Sequence, residues 1–126
     1  MSNGKLLDTN VVIDGLPVAG PTHVSIVTVL ELHDGVALAK NPADRVKRSR
    51  NLTQLLRRYT PLPLDEDVAV AYTDIVAAVI AVGRTPKKRR NDLWIAATAL
   101  VHGLDVCTSN ADDYRGLESL VTVVTP

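Results

Sequence analysis

The sequence predicts an α/β protein, a short and mostly parallel sheet with helices on both of its faces. Two observations carry this. Short apolar runs, Lys5-Leu6-Leu7, Asp105-Val106-Cys107-Thr108 and Leu120-Val121-Thr122-Val123-Val124, are separated by longer helical stretches. Those stretches open on residues that cap helices well, Ser25, Asn41 and Asp65. The 126 residues suit one buried core and are read as a single domain, 1–126.

Lys5-Leu6-Leu7 is the first strand, and Asp8 stands where it ends. Asn10 to Leu16 is predicted as a short helix, followed by a turn-rich break from Leu16-Pro17 to Pro21. His23-Val24 is a brief extended piece. Ser25 caps a helix running from Ile26 to about Ala39, in which apolar neighbours surround Glu31. Asn41 followed by Pro42 opens a helix to about Arg58. Thr60-Pro61-Leu62-Pro63-Leu64 suits only a connector or an edge strand, because proline cannot donate to a ladder.

Asp65 caps a long helix to about Val82, stopped by Gly83. Val68, Val70, Ile75, Val76, Val79 and Ile80 make it apolar nearly all round, which predicts heavy burial, with a second chain as one candidate cover. Asn91 is expected to cap a helix from Asp92 to His102, ended by Gly103. The second clear strand follows, then a loop with a helical turn from Asn110 to Gly116, then the last strand from Leu120. Trp94 and Tyr114 are read as packing residues, and Cys107 as a small core residue.

No apolar run approaches the roughly 20 residues of a membrane span, and the N-terminal apolar stretch is broken by Asp8 and Asp14, unlike a signal peptide. One cysteine excludes an intrachain disulfide and fits a reducing cytoplasm. Formal net charge is zero, yet Lys40–Arg58 and Arg84–Arg90 hold twelve of the fourteen Lys and Arg residues. A basic surface can therefore border an acidic pocket in a chain of zero net charge. The Arg84–Arg90 loop leads directly into Asp92, where its cations would draw phosphates.

Acids recur at element ends or in apolar surroundings: Asp8, Glu31, Asp92, and the pair Asp112 and Asp113. Each has an ordinary explanation when taken alone. A lone Asp after a strand is usually a turn or cap residue, and an acid in a first helical turn is favoured by the helix dipole. Ligands of open α/β sheets nevertheless bind at the carboxyl ends of the strands, where such acids can converge. Clustered carboxylates suit hard ions such as Mg²⁺ and Mn²⁺, and the scattered His23, His33 and His102 with one cysteine do not suit zinc.

Four segments, Leu6-Leu7-Asp8-Thr9-Asn10-Val11-Val12-Ile13, Ser25 to Leu32, Asn91 to Leu100 and Thr108 to Tyr114, resemble the motifs of PIN-domain ribonucleases in the family's order. Within that family the chain is similar to the VapC-type toxins of type II toxin–antitoxin pairs. The resemblance spans nearly the whole chain. It implies a three-layer α/β/α sandwich and a Mg²⁺-dependent endoribonuclease, with Mn²⁺ able to substitute, that cuts single-stranded or loop RNA by metal-activated water. It also implies a homodimer and neutralisation by a cognate antitoxin in a larger hetero-oligomer. Carried over by residue, it makes Asp8, Glu31 and Asp92 metal-site and catalytic acids. Asp113 is the choice for the fourth, with Asp112 as the alternative. Asn110 stands where the family often has an Asp and offers at most a neutral oxygen. Thr9 takes the family's hydroxyl position, holding a carboxylate or a metal-bound water.

The Asn110 replacement keeps open an alternative, a non-catalytic PIN-like RNA-binding module. A receiver-type phospho-switch is disfavoured because the prolines of Leu62-Pro63-Leu64-Asp65 do not suit a central strand. A haloacid-dehalogenase-type phosphatase would need a DxDxT pattern, which Asp8-Thr9-Asn10-Val11-Val12 does not meet.

Overall fold

The computed structural model describes residues 2–126. In chain order the elements are β1 (Lys5–Leu7), α1 (Thr9–Asp14), β2 (Thr22–His23), α2 (Ile26–Ala37), α3 (Pro42–Arg58), α4 (Glu66–Ala81), α5 (Arg90–His102), β3 (Asp105–Cys107) and β4 (Val123–Val124). Short 3-10 turns cover Pro86–Arg89 and Ala111–Tyr114. The four strands form one parallel sheet in the order β2-β1-β3-β4. β1 is thus central, paired with β2 on one side and with β3 on the other. Its register sets Leu6 beside Val106 and Leu7 beside Cys107.

Strand alternation divides the core into two layers. Leu6 and Val106 face a cluster built with Ile75 and Val79 of α4, Leu93, Ile95 and Ala96 of α5, and Tyr114. Leu7 and Cys107 face the opposite way, against Val11 of α1 and Val24, with Leu55 and Tyr59 packed behind. The predicted helices on both faces are therefore present, and they make an α/β/α sandwich. Ser25, Asn41 and Asp65 each accept a first-turn backbone N–H as the sequence leads one to expect. Trp94 packs, stacked on Tyr72 with ring centroids 4.0 Å apart.

Three expectations are corrected. α5 begins at Arg90 rather than at Asp92, and Asn91 lies inside it, because the 3-10 turn at Pro86–Arg89 runs straight into the helix. The last strand is only Val123–Val124, since Leu117 to Leu120 is taken up in turns that close on Leu117 O. Within a single chain α4 is not buried all round: Val68, Ile75 and Val79 are buried, while Val70 and Ile80 are mostly exposed. Among the described residues no helix is long and apolar enough to cross a membrane.

One close approach fixes the loop after β3. Gly116 has φ +98, and a Cβ there would stand 2.6 Å from Val82 Cγ2. Only glycine tolerates both the backbone conformation and the contact. Arg84 reinforces this seam by donating from Nη1 to the Asp112 carbonyl at 2.6 Å. The loop carrying Asp112 and Asp113 is thus held against the end of α4.

Candidate active site

The carboxyl ends of β1 and β3 lie side by side, so the first residue beyond each meets the other. The Asp8 N–H donates to the Cys107 carbonyl at 2.8 Å, extending the ladder by one step. Thr108, the residue in register with Asp8, donates from Oγ1 to Asp8 Oδ2 at 2.9 Å. Asp8 also caps α1, its Oδ1 accepting from Thr9 N at 2.8 Å. It is only 3% exposed, so a buried carboxylate is held by short bonds on both oxygens.

Asp92, in the first turn of α5, and Asp113, in the 3-10 turn after β3, close on Asp8 from the helix side. One carboxylate oxygen from each of Asp8, Asp92 and Asp113 lies within 4.8 Å of the others. Glu31 stands outside that trio, on α2, and is tied to it through Thr9, whose Oγ1 donates to Glu31 Oε1 at 2.8 Å. Thr28 shares a 3.0 Å hydrogen bond with the same Thr9 hydroxyl. The structure thus brings Asp8, Asp92 and Asp113 together and sets Glu31 at the rim.

Asp112 is turned away, paired with Arg84 at 3.4 Å and Arg115 at 3.5 Å. Asn110 donates to Asp113 Oδ1 at 3.1 Å and so supports that acid. Arg89 donates to the same oxygen at 2.8 Å.

Thr108 and Asn10 are site residues that motif reading passed over, and Arg89, expected only among the loop cations that draw phosphates, is paired with Asp113. Asn10 Nδ2 reaches Thr108 Oγ1 at 3.3 Å and its Oδ1 accepts from Ser109 N at 3.2 Å, stitching the two strand ends together. The parallel register of β1 and β3 is the signal that would have revealed Thr108. Nothing local announces the ion pair of Arg89, which spans the chain from residue 89 to residue 113.

Crowding of like charges leaves its mark on the acids. Burial first, then Asp8, Asp113 and Glu31, push Asp92 up to about 7, against a lowering by Arg89. Burial likewise raises Glu31, opposed by its bond from Thr9. Tyr114 lies beneath the cluster with its hydroxyl buried and without a hydrogen-bond partner among the described residues. Burial, the charges of Asp8 and Asp92, the direct approach of the Asp8 side chain and the charge of Asp113 raise that hydroxyl well above the usual phenol range.

These shifts set the pH dependence of the metal-free protein. Asp92 titrates near 3.8 when unfolded and about 7 when folded, so the folded state holds the extra proton between those values. Its contribution to stability is complete below about pH 4 and is lost as the pH rises through 7. Asp92 is partly exposed, and screening reduces the effect to roughly 1–2 kcal/mol. In a chelator the protein is therefore expected to melt lower at pH 8 than at pH 5.5. Asp92→Asn should flatten the difference, as followed by thermal denaturation. A wild-type melting temperature that does not fall between those pH values would show that folding does not raise Asp92.

The donor set, all carboxylate with neighbouring hydroxyls, fits a hard divalent cation. An anionic trio this tight, with one member pushed towards neutrality, is an arrangement that a cation would relieve.

Residues 5–117 match the PIN domain family. Ribonuclease VapC4 of Mycobacterium tuberculosis is 39% identical over 101 residues, covering 79% of this chain and 74% of the relative. Ribonuclease VapC5 of the same organism is 31% identical over 121 residues, 96% of this chain and 82% of the relative. Among solved structures, VapBC-5 from Mycobacterium tuberculosis, of the VapBC family of toxin–antitoxin systems, aligns with TM-score 0.81 at 31% identity, covering 97% of this chain and 96% of that one. FitAcB from Neisseria gonorrhoeae aligns with TM-score 0.79 at 30% identity, over 95% and 96% of the two chains.

Proposed function

We propose a function from one premise: the chain belongs to the PIN domain family. It is an endoribonuclease of the VapC type, the toxin of a toxin–antitoxin pair, formed by one domain over residues 1–126 and working in the cytoplasm. The observation that carries the reading is the convergence of Asp8, Asp92 and Asp113 within 4.8 Å, from three segments far apart in sequence, in a chain similar to named ribonucleases.

Asp8, Asp92, Asp113 and Glu31 would hold the metal, Mg²⁺ with Mn²⁺ as a substitute, and are the proposed catalytic acids. Bound there, the ion supplies an activated water and offsets charge on the phosphodiester. The chain's own residues do the rest. Thr9 and Thr28 orient Glu31, and Thr108 with the α1 backbone orients Asp8. Arg89 and Asn110 orient Asp113. No side-chain nucleophile is required.

An open groove of about 370 Å³ beside Glu31 and Asp92 is lined by Lys87, Lys88, Arg89 and Arg90. This is the proposed path of single-stranded RNA. Neutralising Lys87, Lys88 and Arg90 should weaken RNA binding and flatten its salt dependence, by roughly one unit of slope for each phosphate left without its cation. An unchanged slope in a salt titration of RNA binding would remove the loop from the interface.

A larger groove of about 570 Å³ opens on the other side of Glu31, lined by Val12, Leu32, Leu52, Leu55, Arg48 and Tyr59. It suits a segment of the antitoxin, from which a basic side chain could reach the acids. A homodimer, joined by antitoxin into a larger hetero-oligomer, is the proposed assembly.

The test is incubation of the purified chain with a random pool of single-stranded RNA. Cleavage is expected with Mg²⁺ or Mn²⁺ and none in excess chelator. Cutting that persists in chelator would overturn the metal-dependent reading.

A further inference from the structure

Arg89 differs from the other cations of its loop. Lys87, Lys88 and Arg90 are exposed, whereas Arg89 is partly covered and turns inward to the acids. Its Nη1 donates to Asp113 Oδ1 at 2.8 Å, with both side chains about a quarter exposed. Asn110 donates to that same oxygen, at 3.1 Å. Both donors therefore use Oδ1, and Oδ2 of Asp113 takes no hydrogen bond among the described residues. Arg89 spends one donor here, and among the described residues its guanidinium makes no other bond.

A guanidinium carries five N–H donors in a planar fork that matches carboxylate and phosphate alike. Anchored at one corner by Asp113, the fork of Arg89 is fixed in orientation with its other donors unspent. It borders the groove that also contains Glu31 and Asp92. A phosphodiester meeting the acid cluster would come within reach of those donors. The acids cannot themselves attract a phosphate, so a cation held at their edge answers a need that exposed loop lysines meet only by steering.

We propose that Arg89 is a further catalytic residue: anchored by Asp113, it binds a non-bridging oxygen of the RNA phosphate being cut and stabilises the charge that gathers there in the transition state. The inference rests on the nuclease reading above. In the hydrolysis, the oxygen of water bonds to phosphorus and the bond from phosphorus to the leaving ribose oxygen breaks. The proton lost by the water passes to solvent, and solvent protonates the leaving oxygen. Arg89 gives and takes no proton, and its contribution is electrostatic and directional.

The experiment compares wild type with Arg89→Met, Arg89→Lys and the triple variant Lys87→Ala, Lys88→Ala, Arg90→Ala. Each is measured on one oligonucleotide chosen from the RNA pool because the wild type cuts it. Mn²⁺ affinity is read separately by the electron paramagnetic resonance signal of free Mn²⁺. Arg89→Met is expected to lower kcat by roughly ten- to a hundredfold, the low end of the range for a fixed charge donor because the site is partly open. Its Mn²⁺ affinity should stay within about threefold of wild type, since a partly exposed ion pair contributes little. Arg89→Lys, which keeps the charge and loses the fork, should fall between the two. The triple variant should raise KM and leave kcat near wild type.

An unchanged kcat in Arg89→Met overturns the proposal. So does a loss of Mn²⁺ affinity as large as the loss of kcat, which would make Arg89 a prop for Asp113 alone. If the wild type neither cuts the pool nor binds Mn²⁺, the nuclease reading falls and takes the role of Arg89 with it. If the wild type does both and Arg89→Met matches it, only the role of Arg89 falls.

Discussion

Asp8→Asn is expected to reduce RNA cleavage by about three orders of magnitude or more, the scale of a lost metal-site ligand worth several kcal/mol in the transition state. Asp8 is the member of the trio with the least freedom: 3% exposed, capping α1 and bonded to Thr108. Asparagine retains one side-chain oxygen, so the cap or the bond from Thr108 can persist while the charge is lost. The variant should therefore fold, and without metal it should be at least as stable as wild type, because Asp8 raises Asp92 and Glu31 by repulsion. Added Mn²⁺ should raise the melting temperature of wild type and leave that of Asp8→Asn nearly unmoved. Equal shifts in the two proteins would mean that Asp8 is not a ligand.

The second large effect concerns Tyr114. Its ring is 1% exposed and belongs to the cluster that joins the sheet to α4 and α5. Tyr114→Ala should cost about 3–5 kcal/mol, a large part of the roughly 5–15 kcal/mol that holds a domain together. Tyr114→Phe should do the reverse. The hydroxyl lies near Asp8 without a well-formed hydrogen bond, so its removal deletes a desolvated polar group and keeps the ring. Phenylalanine is expected to match or exceed wild type by up to about 1 kcal/mol in urea denaturation. A clear loss of stability in the Phe variant would show that the hydroxyl is bonded after all.

Much of this architecture was legible because local chemistry and tertiary need agree. Leu6-Leu7 followed by Asp8 reads as a strand and its end, and the caps at Ser25, Asn41 and Asp65 sit where they bond. Leu6 and Leu7 alternate between two clusters, as a strand covered on both faces requires. The acids were legible for a different reason. Asp8, Glu31, Asp92 and Asp113 matched a family pattern, whereas their mutual distances depend on strand order, which no local signal encodes. The errors have the same root. Asn91 has the chemistry of a cap, but the turn before it already has helical character, so the helix has begun by Arg90. Val121 belongs to the core without being in a strand, because apolarity reports burial and not backbone pairing. Val70 and Ile80 are apolar and exposed, so hydrophobicity alone overstates what the folded chain covers.

The central position of β1 has a consequence for synthesis. β1 is made before both of its neighbours, and one of them, β3, begins only at Asp105. Until that segment emerges, one edge of the first strand has no mate, and Thr108 and Asp113 have not reached Asp8. A nascent chain is thus incapable of assembling its acids until Asp113 has been made. Contacts between residues about a hundred positions apart also slow closure. For a nuclease, that ordering delays the destructive activity until the segment carrying Thr108 and Asp113 has been made.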